Sequence, residues 1–148
     1  MTKFELVRAN EQHIEQIAAI ERLCFSDPWS EKGIRAEINN PNTLFLVAQR
    51  EDQVAAYGSV RRAADEGYIN NIACADEFRR QGAARTVLRG MIVWSQEENL
   101  RFLTLEVRVS NLPAITLYRT EGFIDAGVRR NFYSHPSEDA LLLTRYLD

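Results

Sequence analysis

The period of the apolar positions changes several times along the chain, and each change marks an element. Residues 4–9 read as a strand, although Phe4, Leu6 and Arg8 alternate only imperfectly with Glu5 and Val7. Asn10 is placed to cap a helix running to about Phe25, with Ile14, Ile17, Ala18 and Ile20 on its buried side. His13 falls off that stripe and is expected to be a solvated surface residue. A turn at residues 26–29 leads to Ser30, which caps a shorter helix through about Ile38. Residues 44–48 and 54–60 form two strands joined across Glu51-Asp52-Gln53 as an antiparallel hairpin. After a turn at residues 64–67, a central strand at residues 68–75 gives way to a long helix. In that helix Ala84, Val87, Leu88, Met91, Ile92 and Ser95 keep small or apolar groups on one face.

Residues 102–107 make a compact apolar strand. A strand, a helix and a second strand in succession form a crossover, so the strands at 68–75 and 102–107 are expected to be parallel neighbours. Residues 111–121 form a helix with Pro113 in its first turn and Gly122 where it stops. Residues 123–128 and 139–146 are the closing strands, and no repeat or linker interrupts the series. The expectation is one α+β domain over residues 1–148, built on a mixed sheet.

Composition narrows the function. A chain of 148 residues can bury roughly 70% of its unfolded surface in a single core. No apolar run approaches the ~20 residues of a membrane span, and the first nine residues lack a signal peptide's apolar stretch. Cys24 and Cys74 have no metal-ligand spacing, so no metal site is expected, and reduced thiols in the cytoplasm are the default. A net charge of −3 argues against a nucleic-acid surface and suits an amine substrate.

The most informative stretch is the start of the long helix, Arg79-Arg80-Gln81-Gly82-Ala83-Ala84-Arg85. The first N–H groups of a helix lack partners within it, and the helix dipole favours an anion there. No Lys-Ser or Lys-Thr follows Gly82, which excludes a Walker loop, and one glycine is too few for a dinucleotide fingerprint. Arg79, Gly82 and Ala84 instead meet the Arg/Gln-x-x-Gly-x-Gly/Ala pattern of the GNAT acetyltransferases. Further on, Leu105-Glu106-Val107-Arg108-x-Ser110-Asn111, Leu117-Tyr118-x-x-x-Gly122-Phe123 and Arg129-Arg130-Asn131-x-Tyr133 resemble the bacterial RimI family within that superfamily, as does Pro28-Trp29-Ser30-Glu31-Lys32. Ala75-Asp76-Glu77-Phe78 departs from the family's usual Asp-Pro-x-Tyr/Phe turn.

The resemblance implies a fold, an activity and a set of roles. The fold is a central mixed sheet with a splayed parallel strand pair, flanked by helices. The reaction is transfer of acetyl from acetyl-CoA to the N-terminal alanine of a small-subunit ribosomal protein. Ile72, Ala73 and Cys74 would run along the pantetheine arm and offer it backbone hydrogen bonds. Arg80, Gln81, Gly82, Ala83, Ala84 and Arg85 would wrap the pyrophosphate, and Asn111 would touch the cofactor near its thiol. Glu106 would be the general base and Tyr118 the general acid. Two other readings stay open: another protein N-terminus or a small amine as acceptor, and a non-catalytic acyl-CoA-binding module.

Elementary acid–base chemistry constrains these roles. An N-terminal ammonium near 7.7–8.0 is about a tenth neutral at pH 7, so a base has modest work. An ordinary glutamate near 4.3 accepts that proton uphill by roughly 3.5 units, about 5 kcal/mol, so it must act late, through water, or with a pKa raised by burial. A phenol near 10 delivering to a thiolate near 8.5 is uphill by about 2 kcal/mol, which favours hydrogen bonding to the departing sulfur. Without the resemblance, Glu106 could as well be a partner of Arg108 on a solvated sheet face, and Tyr118 a core aromatic. Trp29 either plugs the core or walls a substrate groove. The segment 129–133 is a groove wall or a strand edge, Ser134-His135-Pro136-Ser137 is a turn, and Cys74 is a small buried hydrophobe.

Overall fold

A computed structural model describes residues 3–147; Met1, Thr2 and Asp148, the ends of the expected domain span, lie outside the described residues. Its elements follow the order expected from the pattern. β1 (Glu5–Arg8) precedes a short 3₁₀ turn (Glu11–His13) that runs into α1 (Ile14–Cys24), followed by α2 (Glu31–Ile38). β2 (Thr43–Arg50), β3 (Gln53–Ala63) and β4 (Glu66–Cys74) come next, then α3 (Ala83–Glu97), β5 (Phe102–Arg108), α4 (Leu112–Thr120), β6 (Ile124–Tyr133) and β7 (Glu138–Tyr146). Ser30 caps α2 by accepting the Gly33 amide at 3.1 Å, as its residue type predicts. None of these helices is long and apolar enough to cross a membrane.

The strands form one seven-stranded sheet in the order β1-β2-β3-β4-β5-β7-β6. β2 and β3 are the expected antiparallel hairpin, and β4 and β5 the expected parallel neighbours. The helices cover both faces. Neighbouring residues of β3 make this visible: Tyr57 reaches Glu21 of α1, whereas a Cβ on Gly58 would meet Val87 of α3 at 3.0 Å. On α3, Val87, Leu88, Met91, Ile92 and Ser95 are buried as expected, with Ala83 rather than Ala84 opening the buried stripe.

Three expectations need correction. His13 is buried rather than solvated: its Nδ1 accepts the Asn10 amide at 3.0 Å and its Nε2 lies 2.8 Å from Gln49 Oε1. Off the helical stripe, it belongs to the 3₁₀ turn, whose different period aims it at β2. The strand expected at residues 123–128 runs on to Tyr133 as β6, paired with β7 to Tyr133↔Glu138, so that 129–133 is the expected strand edge. And the partner of Arg108 is Glu138, not Glu106.

The parallel pairing is short. β4 meets β5 only at Glu66↔Phe102, Gly67↔Leu103 and Tyr68↔Thr104. Gly67 permits this contact, since a Cβ there would lie 2.5 Å from Leu103 Cδ2 and 3.0 Å from Leu100 Cδ1, both on buried residues. Replacing Gly67 with valine should therefore overpack the junction and lower unfolding free energy by about 1–3 kcal/mol. A urea titration reads this directly, and a midpoint unchanged from the parent would contradict it.

Candidate functional site

Beyond Tyr68 the two parallel strands separate, although each keeps its other neighbour. β4 stays paired with β3 as far as Cys74↔Ala56, and β5 stays paired with β7 as far as Arg108↔Ala140. The Ala75 amide donates to Ala55 on the β3 side at 2.8 Å, so by strand alternation Ala73 also turns its peptide groups to β3. The N–H and C=O groups of Ile72 and Cys74 therefore face the opening. The expected pantetheine residues thus divide: Ile72 and the Cys74 N–H present main-chain groups there, the Cys74 carbonyl already accepts from the Cys24 thiol at 3.9 Å, and Ala73 turns away.

The opening widens into a crevice of about 330 Å³. The loop after α1 borders it through Phe25, Asp27 and Trp29, and β4 through Tyr68, Asn70, Asn71 and Ile72. The third side carries Glu106 and Arg108 of β5, Asn111, Ala114 and Tyr118 at α4, and Phe132 and Tyr133 of β6. Trp29 does both things considered for it: it is half-buried against the core, tilted toward Phe45 with ring centroids 6.4 Å apart, and it lines the crevice. A smaller hollow of about 250 Å³ between α1 and the end of β4 offers no comparable chemistry. Gln16, its one amide on α1, is already bonded to the main chain of Asp52 and Val54.

Glu106 is held from two sides. The Tyr68 hydroxyl donates to its Oε1, and the Arg129 guanidinium lies 3.1 Å from its Oε2. Its side chain is only 8% exposed, whereas Arg129 is 58% exposed and meets it from the solvent side. Burial, then the bond to the Glu106 carboxylate, push the Tyr68 phenol well above its ordinary range. Burial likewise pushes Tyr133 up to about 12, with Glu106 adding to the rise and Arg108 opposing it.

Tyr118 packs its ring edge-on against Phe123 with centroids 5.5 Å apart. Its hydroxyl has no protein partner among the described residues and opens on the crevice. Burial, and behind it Tyr133, raise its pKa, so the phenol stays protonated throughout the neutral range. Asn111 caps α4, its Oδ1 accepting the Ala114 amide at 3.3 Å, which leaves the side-chain NH₂ at the crevice edge.

At the other end of the opening, Arg79 to Gly82 turn sharply into α3. Gly82 has φ of +86° and nothing within 4 Å of a hypothetical Cβ, so it meets the left-handed geometry and leaves the space in front open. No side chain caps α3 and no acidic residue stands in its first turn. The amides of Ala83, Ala84 and Arg85 thus face outward beside Arg79 and Arg80. The Arg85 guanidinium points elsewhere, to Glu121 and to Thr120 Oγ1 at 3.1 Å, so only its main chain serves the turn. Arg50 supports the loop from below. Its guanidinium lies 4.5 Å from the centroid of the Phe4 ring and 5.1 Å from that of Phe78, two rings that themselves meet edge-on, and donates to Gln81 Oε1 at 3.1 Å.

Several of these residues escape sequence reasoning. Glu21 is fully buried, accepting from the Tyr57 hydroxyl, the Trp29 amide at 2.9 Å and Asn71 Nδ2 at 3.2 Å. It falls seven residues after Ile14 and four after Ile17 on the buried stripe of α1, a signal available in the sequence. Tyr68 and Arg129 gave no such signal, because their meeting at Glu106 joins three strands.

Comparison with known proteins agrees with this architecture. Residues 14–123 match the Acetyltransferase (GNAT) family. The ribosomal protein bS18-alanine N-acetyltransferase of Escherichia coli is 34% identical over 126 residues, 84% of each chain. An N-alpha-acetyltransferase of Saccharolobus solfataricus is 30% identical, with 97% of this chain and 93% of its own covered. The crystal structure of the ribosomal-protein-S18-alanine N-acetyltransferase from Escherichia coli superposes with a TM-score of 0.89 at 28% identity, covering 98% of this chain and 94% of that one. With its mixed sheet, its parted parallel strands and these relatives, the chain belongs to the GNAT family and is an N-acetyltransferase.

Proposed function

We propose that this chain, working as one catalytic domain, moves the acetyl group of acetyl-CoA onto the α-amino group of protein N-termini that begin with alanine. The acceptor in view is the N-terminal segment of small-subunit ribosomal protein bS18, the substrate named for relatives 34% identical. Such an acceptor places the reaction in the cytoplasm. The observation that carries this reading is the opening between β4 and β5, where Glu106 and Tyr118 border one crevice, together with the uncapped helix start that follows β4 in the chain.

The residues divide the work along the opening. The amides from Gly82 to Arg85, with Arg80 and Gln81 beside them, grip the diphosphate. The main-chain groups of Ile72 and the Cys74 N–H hold the pantetheine arm as a strand would, with Ala73 fixing β4 against β3 behind them. The Asn111 amide steadies the arm near its sulfur. The acceptor nitrogen then forms its bond to the thioester carbonyl carbon, the carbon–sulfur bond breaks, and the acetyl group leaves as an amide. Glu106 takes the proton that the nitrogen sheds, while the Tyr118 hydroxyl hydrogen-bonds the departing sulfur. Much of the acceleration comes from holding amine and thioester together, and the acid–base pair adds roughly 10²–10⁴.

Incubating the protein with acetyl-CoA and an alanine-starting peptide should add one acetyl group to the peptide N-terminus, read by mass spectrometry. Transfer to a small amine alone would replace this reading. Glu106→Gln should cut kcat more than about tenfold while the acetyl-CoA KM stays within about twofold. Tyr118→Phe should also lower kcat with both KM values little changed, and full turnover in either variant would remove that residue from the chemistry. Gly82→Ala, forced into a left-handed conformation that costs about 1–2 kcal/mol, should raise the acetyl-CoA KM by about fivefold to thirtyfold.

A further inference from the structure

Arg108, two residues beyond Glu106 on β5, has no part in the chemistry just described, yet its guanidinium makes four hydrogen bonds. Its Nη1 donates to the Pro136 carbonyl at 2.9 Å and to Glu138 Oε1 at 3.2 Å. Its Nη2 donates to the Ser134 carbonyl at 3.0 Å and to Ser26 Oγ at 3.4 Å. The same group lies over the Tyr133 ring, 4.5 Å from its centroid. Glu138 is anchored in turn, accepting the Ser110 amide at 2.8 Å just beyond the end of β5. The bonds from Ser110 and Arg108 hold its carboxyl below the ordinary range.

These contacts belong to three segments that are far apart in sequence. Ser26 is in the loop between α1 and α2, and Ser134 to Pro136 form the turn between β6 and β7. Phe25 and Asp27 beside the first, and Phe132 and Tyr133 beside the second, are facing walls of the crevice. We infer that Arg108 is a positioning residue for the acceptor peptide: it ties both walls to the strand that carries Glu106, and so sets the width of the crevice and the tilt of the Tyr133 ring. An exposed contact of 3.6 Å between His135 Nδ1 and Asp27 Oδ2 joins the same two segments more loosely.

The residue type fits the task. Four acceptors in two directions and an aromatic face below require a flat cation with several fixed donors. A lysine in the same place keeps the charge but supplies a single point of attachment, without the fork or the stacking surface. The side chain is 24% exposed, so these bonds are only partly screened by solvent.

The inference rests on the peptide-acceptor reading above, and the test separates the two. Initial rates are measured with the full chain, acetyl-CoA and the alanine-starting peptide, for the parent and for Arg108→Lys, Arg108→Gln and Glu138→Gln. Both Arg108 variants should raise the peptide KM by about tenfold or more while the acetyl-CoA KM stays within about twofold. Glu138→Gln, which loosens the anchor of Arg108, should move the peptide KM the same way by a smaller factor. A change in folding alone would not split the two KM values. A folded Arg108→Lys protein with the parent's peptide KM overturns the inference, as does a parallel rise in both KM values. Arg108→Lys preserves charge and approximate length, so it carries the test even where the glutamine variant fails to fold. A parent enzyme that leaves the peptide unacetylated overturns the acceptor reading itself, a result obtained before any variant is made.

Discussion

Two strands that start as hydrogen-bonded neighbours and then diverge are the constraint on which the site depends. The divergence is not fraying, because each strand is secured along its other edge. β4 is bound to β3 as far as Cys74, and β5 to β7 along its whole length. What remains between them is a pair of rigid edges with unpaired main-chain groups. Ile72 and Cys74 are half-buried, so such groups cost part of the ~1–3 kcal/mol of a fully buried, unsatisfied one. A polar, extended molecule lying in the gap would relieve that cost, as an added strand does at a sheet edge.

The two ends of the gap have opposite character. The helix start at Gly82 is positive and assembled from main chain, with side chains kept out of the way. The far end is assembled from side chains and centred on one carboxylate. Glu106 is fixed by Tyr68 from β4 and by Arg129 from β6, so its orientation depends on strands on both sides of the opening. The carboxylate therefore cannot be repositioned without disturbing the sheet, and the sheet cannot close without displacing the carboxylate's partners.

The sequence revealed most where structure is local. The cap at Ser30, the hairpin across Glu51-Asp52-Gln53, the amphipathic face of α3 and the parallel relation of β4 and β5 each follow from neighbours within one or two elements. Glu106, Tyr118 and the Gly82 turn were singled out through motif resemblance, and the fold brings the first two to one crevice. Long-range pairing was not legible. Nothing in the sequence shows that β7 inserts between β5 and β6, or that His13 is buried by Gln49, 36 residues away. Residues 129–133 are the groove wall and strand edge expected of them, but the full length of β6 was hidden because this edge strand has both faces largely exposed and carries no apolar alternation. Glu21 escaped because a buried carboxylate is rare unless several donors meet it, and its three donors come from the loop before α2, from β3 and from β4.

The guanidinium of Arg50, set against the edge-on pair of Phe4 and Phe78 and bonded to Gln81 of the Gly82 turn, has a consequence for how the protein behaves in concentrated electrolyte. Arg79 and Arg80 are exposed, so dissolved ions weaken their pull on a phosphate. Arg50 is half-buried against two aromatic rings, and its Nε is the one buried side-chain nitrogen or oxygen among the described residues that lacks a partner. Less of it is open to counterions than of the outer arginines, so salt weakens its pull at the turn less. The turn should keep a floor of attraction for polyanions in brine that an exposed cluster of the same charge would lose.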